Sequence, residues 1–121
     1  MVTITKNLPE DIVGFKYDEH VTKEDYENVL FPLFKTALEK SKDLKVLCEV
    51  ADSFKDFNLG AIKDDMEIWL KYYTDWKKIA FVSDHEWMVH MVKAFKILIP
   101  AKIKIFENKD RIKAINWLEE N

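Results

Sequence analysis

The chain is predicted to be an α/β domain built on a mostly parallel sheet, and three observations carry that expectation. Strand-like runs with alternating or continuous apolar residues take turns with segments whose apolar residues recur at helical spacing. The beginning of the chain departs from this pattern with two strands joined by Asn7-Leu8-Pro9-Glu10-Asp11, which is a hairpin signal. The 121 residues are 48% hydrophobic, enough to fill the core of one domain without disulfides. The order β-β-α-β-α-β-α-β-α over residues 1–121 therefore predicts a single domain with a five-stranded, mostly parallel mixed sheet and four main helices.

Each element has its own signature. Val2 and Ile4 open the first strand, and in the second Val13, Phe15 and Tyr17 alternate with Gly14, Lys16 and Asp18. Thr22 stands three residues before Asp25, the spacing of a capping box, and Tyr26, Val29, Leu30, Leu33, Phe34, Ala37 and Leu38 follow at helical spacing. Pro32 lies inside that helix, where a missing donor and a ring clash predict a kink. Val46, Cys48 and Val50 on one side of the third strand, with Leu47 on the other, predict cover on both faces.

The loop from Ala51 to Gly60 leads into a second helix expected to reach Tyr73, and Lys78-Ile79-Ala80-Phe81-Val82 is the most continuous apolar strand, expected at the sheet centre. Ser83-Asp84-His85-Glu86 has the spacing of a second capping box, ahead of Trp87, Met88, Met91, Val92 and Phe95. Pro100 is expected to stop that third helix. Ala101, Ile103 and Ile105 then alternate with Lys102 and Lys104, as in an edge strand guarded by charge. A last helix from Asp110 to Glu120 is expected to pack Ile112 or Ala114, Ile115, Trp117 and Leu118 on the sheet.

Composition excludes several functions. The net charge of −3 argues against nucleic-acid binding, which needs a concentrated basic surface. Residues 93–121 hold seven basic and four acidic groups, and residues 1–92 hold 12 and 18. This reads as two solvated faces, the basic one around Lys93, Lys96, Lys102, Lys104 and Arg111. No run is long enough to span a membrane or has the form of a cleaved leader, and the lone Cys48 suits a reducing interior, so a soluble, cytoplasmic protein is expected.

Catalytic signatures are sparse. With only Gly14 and Gly60 in the chain, neither a phosphate loop nor a dinucleotide fingerprint can be built. His85-Glu86-Trp87-Met88-Val89-His90 is a near miss for a zinc-protease helix, since five residues of helix set the two rings roughly 140° apart. His20 next to Asp18 and Glu19 lacks a neighbouring nucleophile in sequence, and a strand-buried Cys48 is inert. The acidic pairs Glu24-Asp25, Asp64-Asp65 and Glu119-Glu120 read as helix-end or polar-face charges. The expectation is a protein that is not an enzyme and takes no metal or cofactor.

The order of elements, Val82-Ser83-Asp84 followed by Trp87, and the closing Phe106 with Ala114, Trp117 and Leu118 together resemble the STAS/SEC14-like proteins of the SpoIIAA-like family. The resemblance covers nearly the whole chain. It implies the STAS fold of anti-sigma-factor antagonists, which is also like a small version of the lipid-binding CRAL-TRIO domain. In the antagonists, the loop after the third strand carries a serine phosphorylated by a partner kinase. The comparable stretch here has Ser53, Phe54, Asp56, Leu59 and Gly60 in similar places, while Phe57 and Asn58 hold the phosphoacceptor position. The resemblance therefore implies an interaction loop at Ser53, Phe54, Asp56, Phe57 and Asn58 without the phosphoswitch, the kinase or the sigma-factor pathway.

The second helix carries more apolar surface than one core-facing stripe needs. Leu59, Ile62, Met66, Trp69, Leu70, Tyr73 and Trp76 span an arc of roughly 140°, which Ile68 and Tyr72 widen. The third helix adds Trp87, Met88 and Met91. Three explanations stand open: a thick core, a self-association surface, or an apolar groove for an acyl chain or lipid of the kind that the CRAL-TRIO resemblance implies. The leading expectation is a binding module with Met66, Trp69, Leu70, Tyr73, Trp87, Met88 and Met91 around an apolar or lipid-like ligand. The alternative is a STAS-like protein-interaction or regulatory module, or a homodimer, using the loop.

Overall fold

The computed structural model describes residues 1–40, 43–71, 76–98 and 101–120. Strands β1 (Val2–Ile4), β2 (Ile12–Tyr17), β4 (Leu44–Val50), β6 (Trp76–Val82) and β7 (Lys102–Phe106) form a five-stranded sheet in the order β1-β2-β4-β6-β7. β1 runs antiparallel to β2 and every other neighbour is parallel, as the hairpin followed by helical crossovers requires. The sequence reading missed a second, parallel ladder of β3 (His20–Val21) and β5 (Asp56–Phe57), whose two-residue strands are too short to show alternation.

The middle strand is β4, with β6 beside it. The most continuous apolar strand is therefore not the central one, because both strands have neighbours on either side and are almost equally covered. All seven residues of β4 are buried, Lys45 and Glu49 included.

The first helix is three consecutive pieces: α1 (Lys23–Asp25), a π-helical stretch Tyr26–Leu30 and α2 (Phe31–Lys40). Its expected capping box is present, with Thr22 Oγ1 accepting from the Asp25 N–H and Asp25 Oδ2 accepting from the Thr22 N–H at 2.8 Å. Burial alone would raise the Asp25 carboxyl, but these Thr22 hydrogen bonds hold it below its ordinary value. The distortion expected from Pro32 takes the form of the wider π-helical turn just before it, where the Phe31 N–H bonds the Tyr26 carbonyl.

The remaining helices are α3 (Leu59–Lys71), α4 (Glu86–Phe95) and α5 (Arg111–Glu119), the last preceded by a 3₁₀ turn at Asn108–Asp110. The second expected capping box does not form. Buried Ser83 accepts the His85 N–H at 3.0 Å, and the helix begins beyond His85 without a side-chain cap. The helix starts two residues later than the spacing implied, which leaves Ser83 in the turn. Pro100, expected to stop this helix, lies outside the described residues.

The sheet is covered unequally. On one face Phe15, Tyr17, Val46, Cys48, Val50, Ile79, Phe81 and Ile103 meet Tyr26, Leu30 and Phe34 of the first helix, Ala61 of α3 and Met88 of α4. Phe34 stands edge-on to Phe15 at 5.6 Å and to Trp76 at 5.0 Å. Trp76, expected on the apolar arc of the second helix, is instead the buried first residue of β6. Desolvation pushes the Cys48 thiol well above its ordinary value.

On the other face α5 packs Ala114 and Leu118 on Ile12, Leu47, Ala80 and Val82, and Leu8 and Phe106 join the cluster from outside the helix. Ile112 is exposed, so the inner position belongs to Ala114. Buried Lys78 of β6 reaches the end of α5, donating to the Trp117 carbonyl at 2.9 Å and the Glu120 carbonyl at 2.5 Å beneath the Trp117 ring.

Candidate functional site

The carboxyl ends of β2, β4, β6 and β7 share one edge of the sheet, the edge at which open α/β sheets place their ligands. The loops leaving them are tied together. From the loop after β4, the Ala51 N–H donates to Tyr17 O at 3.0 Å and the Lys55 N–H to Glu19 O at 2.7 Å. Glu19 adopts a left-handed backbone, φ 48°, which costs a non-glycine residue about 1 kcal/mol and turns this carbonyl toward the loop. His85 donates through Nε2 to the Ala51 carbonyl at 3.0 Å, and Asn108 Nδ2 donates to Asp52 Oδ1 at 2.8 Å.

The five residues expected to form an interaction loop all lie here, in different roles. Ser53 donates its hydroxyl to Asp18, and Asp56 pairs with His20 at 2.7 Å on an exposed surface where such a pair adds little stability. Phe54 is buried and anchors the loop, with its ring 5.0 Å from Phe57, 5.7 Å from His85 and 6.1 Å from Trp87. Phe57 is half-buried in β5. Asn58 caps α3, its Oδ1 accepting from the Ala61 N–H at 2.7 Å. The place that a phosphoacceptor serine would take is thus a helix cap.

Seven residues are expected to line an apolar site between the second and third helices. Tyr73 lies outside the described residues, as do the side chains of Met66, Trp69 and Leu70. Of the others, Met88 is buried in the core, Met91 is partly covered, and Trp87 is 50% exposed.

The acidic pair of α3 lies differently from expectation. Ala61, Asp64 and Asp65 turn toward the sheet, whereas Leu59 and Ile62 are 87% and 46% exposed. The acids are therefore not polar-face charges. Two buried tyrosine hydroxyls, 3.0 Å apart, need an acceptor, and Asp65 Oδ1 supplies it at 2.6 Å from Tyr26 and 3.3 Å from Tyr17. Burial first, then the Asp65 charge, raises Tyr26 well above its ordinary value; burial with the Tyr26 and Asp65 charges does the same for Tyr17. Asp64 is buried too, and its Oδ2 has no partner among the described residues.

The surface that results is a hydrogen-bonded loop followed by exposed Leu59 and Ile62, with half-exposed Trp87 against Phe54. Among the described residues no three His, Cys, Asp or Glu side chains gather as metal ligands, and no helix is long and apolar enough to cross a membrane. His20 and His85 are engaged with Asp56 and a carbonyl respectively.

Comparisons with known proteins agree with this architecture. No curated protein matches the chain. Among solved structures, it is similar to an uncharacterized protein of the DUF3478 family with a SpoIIAA-like fold from Shewanella loihica PV-4, at 26% identity and a TM-score of 0.80, covering 97% of this chain and 93% of that one. A model of the SpoIIAA-like family matches residues 12–119, spanning the loop, α3, α4 and the closing helix, and the chain accordingly belongs to the SpoIIAA-like family.

Proposed function

We propose that the protein is a binding module whose working surface is the loop after β4 together with the first turns of α3 and α4, and that it works by association with another macromolecule or a second copy of itself. The observation that carries this reading is the exposure of Leu59, Ile62 and Trp87, with the Trp87 ring against Phe54 and Phe54 against Phe57. Turning Asp65 inward satisfies the tyrosine hydroxyls, and the apolar Leu59, Ile62 and Trp87 that remain in solvent are the kind of surface that a partner covers. The hydrogen bonds that hold the loop in place reduce the ordering cost of binding. Asn58 at the cap supports an interaction that phosphorylation of this position does not govern.

A second reading, an apolar or lipid-like ligand held between α3 and α4, is favoured by one feature of α4. Met91 is only partly covered and Trp87 is half exposed, although the neighbouring Met88 is in the core. Native mass spectrometry of freshly purified protein, beside Leu59→Asp and Phe57→Ala, separates the readings. A dimer or a protein complex in the wild type that is lost in both variants supports the contact surface, and extra small-molecule mass supports the apolar ligand. Bare monomer in all three samples would overturn both.

A further inference from the structure

The face of the sheet covered by α5 carries a second surface, on the opposite side of the sheet from α3 and α4, and its use does not depend on the function proposed for them. α5 packs over β4 and β6 and leaves the β1–β2 side of this face open. There Thr3, Ile4, Thr5, Lys16, Glu49 and Arg111 line an open depression of about 320 Å³, within the size range of small-molecule sites. Thr3, Lys16 and Glu49 are register partners on adjacent strands, so their side chains share one face at the same level.

The charges in this depression are arranged in an unusual way. Glu49 is the register partner of Lys16, yet it does not pair with it: its Oε1 accepts from Arg111 Nε at 2.6 Å, and its Oε2 faces Thr5 Oγ1 at 3.5 Å. The Glu49 side chain is only 8% exposed and Arg111 is 42% exposed. A carboxylate buried on a central strand adds little stability over a well-packed apolar residue, even when paired. Its effect here is positional: bonded through Nε, the Arg111 fork is fixed, and its terminal nitrogens have no protein partner among the described residues. The Lys16 ammonium likewise has none. Two cations against one carboxylate leave the depression with one surplus positive charge, beside the Thr3 hydroxyl and the first residue of α5.

We propose that this depression binds a small molecule through an oxyanion group, phosphate or carboxylate, held between Lys16 and the Arg111 fork, with Glu49 as the positioning residue for the arginine. The fork matches two oxygens of one anion, Lys16 supplies a point charge beside it, and Thr3 offers a hydroxyl.

The test is a titration with inorganic phosphate, and separately with acetate, at constant ionic strength, followed by ¹H–¹⁵N correlation spectra. The expected result is saturable shifts of the Thr3, Thr5 and Lys16 amides and of the Arg111 Nε–Hε signal. In Lys16→Ala, an exposed position whose change leaves the thermal midpoint in place, half-saturation rises about fivefold or more. Thr3→Val, equally remote from the core, weakens binding in the same direction. No saturable shift up to about 50 mM, or equal affinity in Lys16→Ala, overturns the proposal. Vesicles of phosphatidylcholine with and without phosphatidic acid identify the source of the group. Lys16-dependent sedimentation with phosphatidic acid assigns a lipid headgroup, and phosphate binding without sedimentation assigns a free solute; either outcome keeps the site.

Discussion

Tyr26→Phe removes one hydroxyl and leaves the ring, and so isolates the bond that fastens α3 to the first helix. That hydroxyl is buried, donates to Asp65 Oδ1 at 2.6 Å and lies 3.0 Å from the Tyr17 hydroxyl. A hydrogen bond to a charged acceptor contributes about 1.5–3 kcal/mol, and the void left by one oxygen is small. The Tyr17 hydroxyl stays within 3.3 Å of the same carboxylate and keeps it partly satisfied. The expected cost is therefore about 2 kcal/mol for Tyr26→Phe and about 1 kcal/mol for Tyr17→Phe, whose bond is longer. For a domain of this size the larger value lowers the thermal midpoint by roughly 7 °C. Urea and thermal unfolding followed by circular dichroism at pH 7 measure both, and hydrogen exchange should rise first in α3. A Tyr26→Phe protein within about 0.5 kcal/mol of wild type, or a costlier Tyr17→Phe, would refute the reasoning.

Four further outcomes follow from the same structure. Tyr17, Tyr26 and Cys48 are all raised in the folded state, chiefly by burial, whereas the unfolded chain releases those protons near about 8.5 for the thiol and about 10 for the phenols. Above these values the folded state binds more protons, so stability is complete below about pH 8 and falls as pH rises toward 11; urea midpoints that do not change between pH 8 and 10.5 would contradict this. Asp64→Ala should raise stability by about 1 kcal/mol, because it removes a buried carboxylate oxygen that lacks a partner among the described residues; a destabilised variant would show that the carboxylate is satisfied in solution. Lys78→Met should cost about 1.5–3 kcal/mol and fray the end of α5, read as faster exchange of its last amides, because it uncaps the Trp117 and Glu120 carbonyls. Gly14→Ala should cost about 1–3 kcal/mol, since its Cβ would stand 2.4 Å from Leu8 Cδ1 and 3.0 Å from Thr5 Cβ; the penalty should shrink in a Leu8→Ala background, and an undiminished penalty would locate the strain elsewhere.

The parts of the fold that could be read from the sequence are those that local pattern determines. The hairpin, the parallel order and the Thr22 cap depend on spacing within a few residues, and each is where the spacing put it. The register of α3 is not of this kind. Apolar arcs at helical spacing identify a helix but not the side of it that faces the sheet. That choice was made by the two tyrosine hydroxyls below, which needed Asp65, and by Gly60, whose lack of a side chain lets α3 approach Lys23; a Cβ there would lie 2.9 Å from Lys23 Cβ. Trp76 was assigned to the helix because it continued the arc, and only the strand pairing of Leu44 with Trp76 moves it to β6. The loop residues could be found by resemblance, although not the division of labour among Phe54 as anchor, Asn58 as cap and Asp56 as a surface charge. The Glu49–Arg111 pair spans 62 residues, and no local signal joins them.

The unequal covering of the sheet explains why two different surfaces coexist on so small a domain. Strand β4 presents Cys48 and Val50 to the face packed by three helices and Glu49 to the face packed by one. Alternation along one strand thus lets a dry core and a charged depression lie back to back, a single residue apart. Strand β2 repeats the arrangement in depth: on the α5 side it runs from buried Ile12 through Gly14 to exposed Lys16, out from under the core toward the depression. Had a second helix covered β1 and β2 on this side, Lys16 and the two threonines would need apolar replacements to avoid burying unpaired polar groups. Their presence is the chemical trace of a face left open, as exposed Leu59 and Trp87 are on the opposite side.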